Sequence, residues 1–206
     1  MNPLAEILSI ASARHSHLCP RQVLGARLGL AGAAALGLDV PRKDKRLLVI
    51  IETDGCFADG IEAATGCAVG HRTLRIEDYG KIAATFVDVQ TGQAVRLAPC
   101  LEVRQAAYDY APGESRHYFA QLQAYQVMPD VELLTIQSVQ LKKAVADVIG
   151  RAGVRANCEA CGEEIINERE ILIGGRVLCQ ACAFGGYYYQ ATVTQPCLNI
   201  EQTCTV

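Results

Sequence analysis

Four cysteines in the last third of the chain carry its clearest chemistry: Cys158-Glu159-Ala160-Cys161 and Cys179-Gln180-Ala181-Cys182. A two-residue spacer lets both sulfurs of a pair reach one ion, and four thiolates complete a tetrahedral zinc shell. The spacing predicts a structural zinc held by Cys158, Cys161, Cys179 and Cys182. Rubredoxin-like iron and a redox C-x-x-C pair are the alternatives. A four-thiolate shell leaves no position for substrate, so the expected role is stability and docking.

A second constellation stands near the N-terminus, in His15-Ser16-His17-Leu18-Cys19-Pro20. Two imidazoles and a thiol occupy alternate positions, so an extended segment points all three to one side. Pro20 is a helix-start signal, which puts Cys19 at an N-cap. Cys56 follows the turn signal Asp54-Gly55, between an aliphatic run and a helical pattern. Both thiols are therefore expected at helix N-termini, where the dipole favours thiolate. His15, His17, Cys19 and Cys56, with Cys67 behind them, are the candidate ligands of a zinc or iron(II) ion in the larger domain. His17, Cys19 and Cys56 are also the candidate catalytic groups. Asp59, one turn beyond Cys56, would orient a histidine or act as base, and Lys81 would hold an anionic substrate.

The elements that must position these residues follow from periodicity. Leu4, Ile7, Leu8 and Ile10 or Ala11 fit a short amphipathic helix over 3–13. Arg21 to Leu38 reads as a second helix, with Gly25, Gly29 and Gly32 kept for close backbone packing and Gly37 as C-cap. Arg46 to Thr53 is a continuous aliphatic run, a strand buried on both faces. Phe57 to Thr65 reads as helix ended by Gly66. Residues 72–80 read as irregular. Ile82–Val89 and Ala94–Leu101 form a hairpin around Gln90-Thr91-Gly92-Gln93. Helical patterns follow over 101–110 and 115–127, then a short helix and a strand within 132–139, then helix over 142–149. Gly150–Gly153 reads as a linker. The cysteine module should hold a small hairpin around Gly174-Gly175 and a short helix opened near Cys182. The expected organisation is an α+β core domain over 1–152, a mixed sheet packed with helices. A treble-clef or zinc-ribbon-like module and tail over 153–206 would complete it.

Composition narrows the function. The chain has 206 residues, half of them hydrophobic, and a net charge of -3. That balance supports a sizeable core and argues against a protein built to grip a phosphate backbone. The arginines near the cysteine module are offset by glutamates, so nucleic acid is the weaker partner class. No run reaches the ~20 apolar residues of a membrane span, and Met1-Asn2-Pro3-Leu4-Ala5-Glu6 lacks the basic n-region expected of a signal peptide. Ten cysteines without a secretory signal suggest metal ligation or reactive thiols in a reducing cytoplasm. Cys197 and Cys204 read as free thiols, and Tyr187-Tyr188-Tyr189 as a cluster packed on a partner or on the main domain.

Taken together, His15-Ser16-His17-Leu18-Cys19-Pro20, Glu52-Thr53-Asp54-Gly55-Cys56-Phe57-Ala58-Asp59, Thr65-Gly66-Cys67 and Asp78-Tyr79-Gly80-Lys81 resemble the E-subunit family of formylmethanofuran dehydrogenase. The resemblance covers about residues 10–140, and the four-cysteine module is similar to a zinc finger carried by part of that family. It implies a homodimeric α+β core domain with a cleft at the His/Cys segment. It also implies a link to molybdenum- or tungsten-dependent one-carbon chemistry through a partner oxidoreductase. Two functions follow. One is a metal- or thiol-dependent site with redox or one-carbon activity. The other is a non-catalytic assembly protein that docks a partner through its zinc module.

Overall fold

The computed structural model describes residues 3–13 and 17–189. The chain divides into two compact units, Met1–Val145 and Ala146–Val206.

The first unit is a five-stranded mixed sheet with helices. Its strands are β1 (Leu47–Ile51), β2 (Leu74–Ile76), β3 (Ala84–Asp88), β4 (Ala94–Pro99) and β5 (Leu134–Val139), in the order β2-β1-β3-β4-β5. The β1–β2 pair is parallel, and the other three pairs are antiparallel. β1 lies inside the sheet, between β2 and β3, and its residues are aliphatic on both faces: Leu47, Leu48, Val49 and Ile51 are all buried. One face of the sheet, through Val49, Ile51, Phe86 and Leu97, shares a core with the helices.

Those helices are α1 (Pro3–Ser12), α2 (Pro20–Ala35) and α3 (Cys56–Thr65), then α4 (Val103–Ala106), α5 (His117–Val127) and α6 (Asp130–Leu133). α1 buries Ile7, Leu8 and Ala11, the stripe its spacing predicts. α3 ends at Gly66 with φ +73°, a left-handed cap suited to glycine. α2 and α3 cross at backbone contact. A Cβ on Gly25 would lie 2.3 Å from the Phe57 carbonyl oxygen, and one on Gly60 would lie 2.2 Å from that of Gln22. The glycines of the second helix are thus spent on close packing, as expected from their placement.

Two ion pairs brace the sheet. Arg46 bonds Asp88 through Nε at 3.0 Å and a terminal nitrogen at 2.8 Å. Arg96 holds both oxygens of Glu52, at 2.5 and 2.8 Å.

The structure corrects several expectations. Residues 74–76 are not irregular: they form the edge strand β2, too short for a period-2 pattern to register. The 101–110 helix is broken into α4 and a 3₁₀ turn over Ala107–Tyr110. The helix expected over 142–149 is α7, Val145–Ile149, and starts later.

The second unit carries most of α7, then two hairpins and a further helix. β6 (Arg155–Asn157) pairs with β7 (Glu164–Ile166), and β8 (Ile171–Ile173) with β9 (Arg176–Leu178). α8 (Gln180–Phe184) follows. Knuckle, hairpin and helix in this order form a treble-clef-like module. Its core is small: Cys158, Ile165 and Leu178 are its buried members. Cys179, not Cys182, caps α8, with its sulfur accepting from the Cys182 N–H.

Candidate functional site

The β6–β7 turn presents Cys158 and Cys161, and the N-terminus of α8 presents Cys179 and Cys182. Their four sulfur atoms all lie within 4.8 Å of one another. The Cys161 and Cys179 sulfurs are 4.0 Å apart. Bonds of ~2.3 Å to a tetrahedral ion place sulfurs just under ~4 Å apart, so the set fits zinc. The backbone supports the charge. Cys179 N–H points at the Cys158 sulfur at 3.3 Å, and Cys182 N–H at the Cys179 sulfur at 3.4 Å. The N–H groups of Cys161 and Cys179 hold the Cys158 thiol down at about 6. Cys182 is pushed up to about 12 by the sulfurs of Cys179, Cys158 and Cys161. That mutual repulsion is what a bound dication removes. Among the described residues no second group of three or more His, Cys, Asp or Glu side chains is gathered this tightly.

In the first unit, the α2–α3 crossing decides the geometry. Cys19 is the N-cap of α2, and Cys56 is the first residue of α3. Gly55, at φ +72° and ψ −150°, makes the turn that lets α3 begin directly after β1. The two helix starts converge, so the two thiols are neighbours and the Cys19 sulfur acts on the Cys56 thiol. Cys19 is 7% exposed, and Cys56 is half-buried.

Three more residues frame the pair. Gln22 is fully buried, accepts from the Cys19 N–H at 2.9 Å and donates to the Ala11 carbonyl at 3.0 Å. It ties the Cys19 turn to the end of α1. Tyr118, on α5, donates to the Leu18 carbonyl at 3.2 Å. Burial raises its phenol, and the charges of Cys19 and Cys56 raise it further. Arg21 acts on both Cys56 and Tyr118 in the opposite sense. Gln22 was legible as the third residue after a cap. Tyr118 gave no signal, because it arrives from a helix 100 residues away.

The expected thiolate at Cys56 is corrected. Burial pushes its thiol up, and the adjacent Cys19 sulfur pushes it further the same way. Desolvation and a like-charged neighbour outweigh the helix terminus.

The remaining candidates are placed as follows. His17 is exposed two residues before Cys19, and Asp59 is half-buried on the first turn of α3. Lys81 is exposed, its N–H bonded to the Glu52 carbonyl at 3.1 Å, and its charge acts on the Glu52 carboxylate. Cys67 is not brought to the pair. It lies past the opposite end of α3, ~15 Å along a ten-residue helix, and its thiol bonds the Leu47 carbonyl at 3.4 Å. His15, Cys197 and Cys204 lie outside the described residues. Of the tyrosine cluster, Tyr187 and Tyr189 are fully exposed.

A family model described as "FmdE, Molybdenum formylmethanofuran dehydrogenase operon" matches residues 14–142. A curated protein of Archaeoglobus fulgidus, named "Probable S-adenosyl-L-methionine-binding protein", is 30% identical over 90% of this chain. The chain spans 54% of that relative's length. Among solved structures, a "tungsten formylmethanofuran dehydrogenase subunit e (fmde)-like protein" from Syntrophus aciditrophicus has a similar fold. Its TM-score is 0.56 at 22% identity, over 90% of this chain and 95% of that one. No described helix is long and apolar enough to cross a membrane.

Proposed function

Because this chain belongs to the FmdE family, we propose that it is a metal-binding protein with two centres of different purpose. The first is the four-cysteine cluster, which holds zinc and organises the C-terminal module. The second is the Cys19/Cys56 pair in the larger unit, over a domain running to about residue 152. There Cys19 and Cys56 are the ligands or nucleophiles of the chemistry, with zinc or iron(II) as the ion. Such an ion would act as a Lewis acid or redox centre, and would take further ligands from His17 or His15. Asp59 is the candidate base, and Lys81 the candidate anion holder. Cys19 is shielded from water with Cys56 half-buried beside it, and Tyr118 with Arg21 sets the polarity around them. The setting is redox or one-carbon chemistry alongside a molybdenum- or tungsten-dependent oxidoreductase in the cytoplasm; the family description, which names a molybdenum formylmethanofuran dehydrogenase operon, supports the molybdenum link. The protein would work as a homodimer.

The observation that carries the core site is the convergence of two thiols from two helix starts, 37 positions apart in sequence. Metal analysis tests it. Wild type should hold two ions per chain and Cys56→Ser one, with the zinc module still filled. One ion per chain in both proteins would refute the core metal.

A second reading has its own observation. Leu172, Phe184, Tyr187 and Tyr189 of the second unit are each at least 70% exposed. On that reading the chain is a non-catalytic assembly protein whose zinc module docks a partner protein. A purified C-terminal module is not needed to separate the two. Cys19→Ser with Cys56→Ser would leave partner assembly intact under the second reading, and would abolish activity under the first.

A further inference from the structure

β5 ends the sheet: it pairs with β4 on one side, and with no strand of the described residues on the other. Antiparallel strands alternate between bonded and non-bonded pairs, which shows where its backbone groups point. Cys100 N–H donates to the Leu133 carbonyl at 3.0 Å. The same register carries bonded pairs to Ala98/Thr135, Arg96/Gln137 and Ala94/Val139. Pro99, which has no N–H, falls opposite Leu134 in a non-bonded pair. The N–H and C=O groups of Ile136 and Ser138, and the Leu134 C=O, therefore point outward. The Leu134 N–H is already taken by the Asp130 carbonyl.

This edge lacks the usual guards. Leu134–Val139 contains no charge and no proline. Residues 135–138 are exposed, Ile136 at 52%.

We propose that the edge is the interface with a second copy of this chain. The two β5 strands run antiparallel about a two-fold axis at Ile136 and join two five-stranded sheets into one. The register follows from geometry. An axis perpendicular to the sheet keeps both helix-bearing faces on one side, so facing residues must share a face. Outward groups must also meet outward groups. Ile136 then exchanges both backbone bonds with the partner's Ile136, and the Ser138 N–H meets the partner's Leu134 carbonyl. The self-paired isoleucines cover each other's exposed side chains.

Charge selects a second copy over an unrelated strand. Just before β5, α6 carries Asp130, which pairs with Arg27 at 2.6 Å and stays 57% exposed, and Glu132, which accepts from the Tyr110 hydroxyl; the segment after β5 carries Lys142 and Lys143. Antiparallel pairing sets the acidic end of each copy against the basic end of the other. Val131, 85% exposed at the acidic end, extends the apolar contact.

The inference rests on the homodimer of the reading above and on neither metal centre. Sedimentation velocity of the full chain tests it. Wild type should run at twice the 22.2 kDa chain mass. Ile136→Pro removes only an outward N–H, and Ile136→Lys sets two ammonium groups face to face on the axis. Both should run at the chain mass, with zinc content and far-UV circular dichroism unchanged. A wild-type monomer overturns the proposal and the homodimer together. A dimer that survives both variants overturns this surface alone. If a variant loses its circular dichroism, amide exchange on wild type decides. Protection of Ile136 and Ser138 amides matching that of Thr135 and Gln137 supports the interface, and free-chain exchange rates overturn it.

Discussion

At the scale of residues, the two sulfur sites differ in what surrounds each thiol. In the C-terminal cluster, backbone N–H groups aim at the Cys158 and Cys179 sulfurs, and Cys158 is held toward thiolate. Cys182→Ser should remove one zinc per chain, and elemental analysis checks the loss. At the core pair, burial dominates, and the arrangement depends on one amide side chain. Gln22 satisfies the Cys19 N–H and the Ala11 carbonyl inside the core. Gln22→Leu strands both groups, and each such buried loss costs ~1–3 kcal/mol. Denaturant unfolding should show a lower midpoint with an unchanged slope.

At the scale of elements, the α2–α3 crossing is what joins Cys19 to Cys56, and glycine sets its distance. The Cβ of Gly60→Ala would meet backbone of α2, which has no rotamer to yield. Overpacking of this kind costs ~1–3 kcal/mol or more. It should also spread the two helix starts. The expected outcome is a lower melting temperature together with loss of any metal that depends on Cys56. Gly37→Ala serves as the control, since nothing lies within 4 Å of its added Cβ. It should affect stability only through its φ of +67° and leave that metal in place.

At the scale of the molecule, the two units are held by different means. The first has a broad apolar core, and the second has Cys158, Ile165 and Leu178. A core that small needs its ion. Chelation should therefore open amide exchange across 154–184 while β1, β3 and β4 stay protected. Acid acts on the first unit instead. The Arg46 guanidinium holds the Asp88 carboxyl down at about 2. A depressed folded value means stability that is complete above the ordinary carboxylate range, near ~3.9, and is lost as the pH falls through about 2. Asp88→Asn should be less stable than wild type at neutral pH, and the gap should close near the acid end of a pH series of melting temperatures.

Whatever depends on local spacing was legible in the chain before it folds. That covers the four-cysteine shell, the caps at Cys19 and Gly66, the buried run of β1, the β3–β4 hairpin and the family to which the chain belongs. Each is written within a few residues, where two-residue spacers, glycine's left-handed freedom and aliphatic runs have one dominant reading. Packing had to decide that Cys19 and Cys56 meet, that Tyr118 bonds the Leu18 carbonyl beside them and that Cys67 does not join them. It also decided that residues 74–76 form a strand, because three residues become one only by pairing with β1. Those outcomes turn on which helix faces cross and on how deeply a thiol is desolvated. Neither quantity exists until distant segments come together.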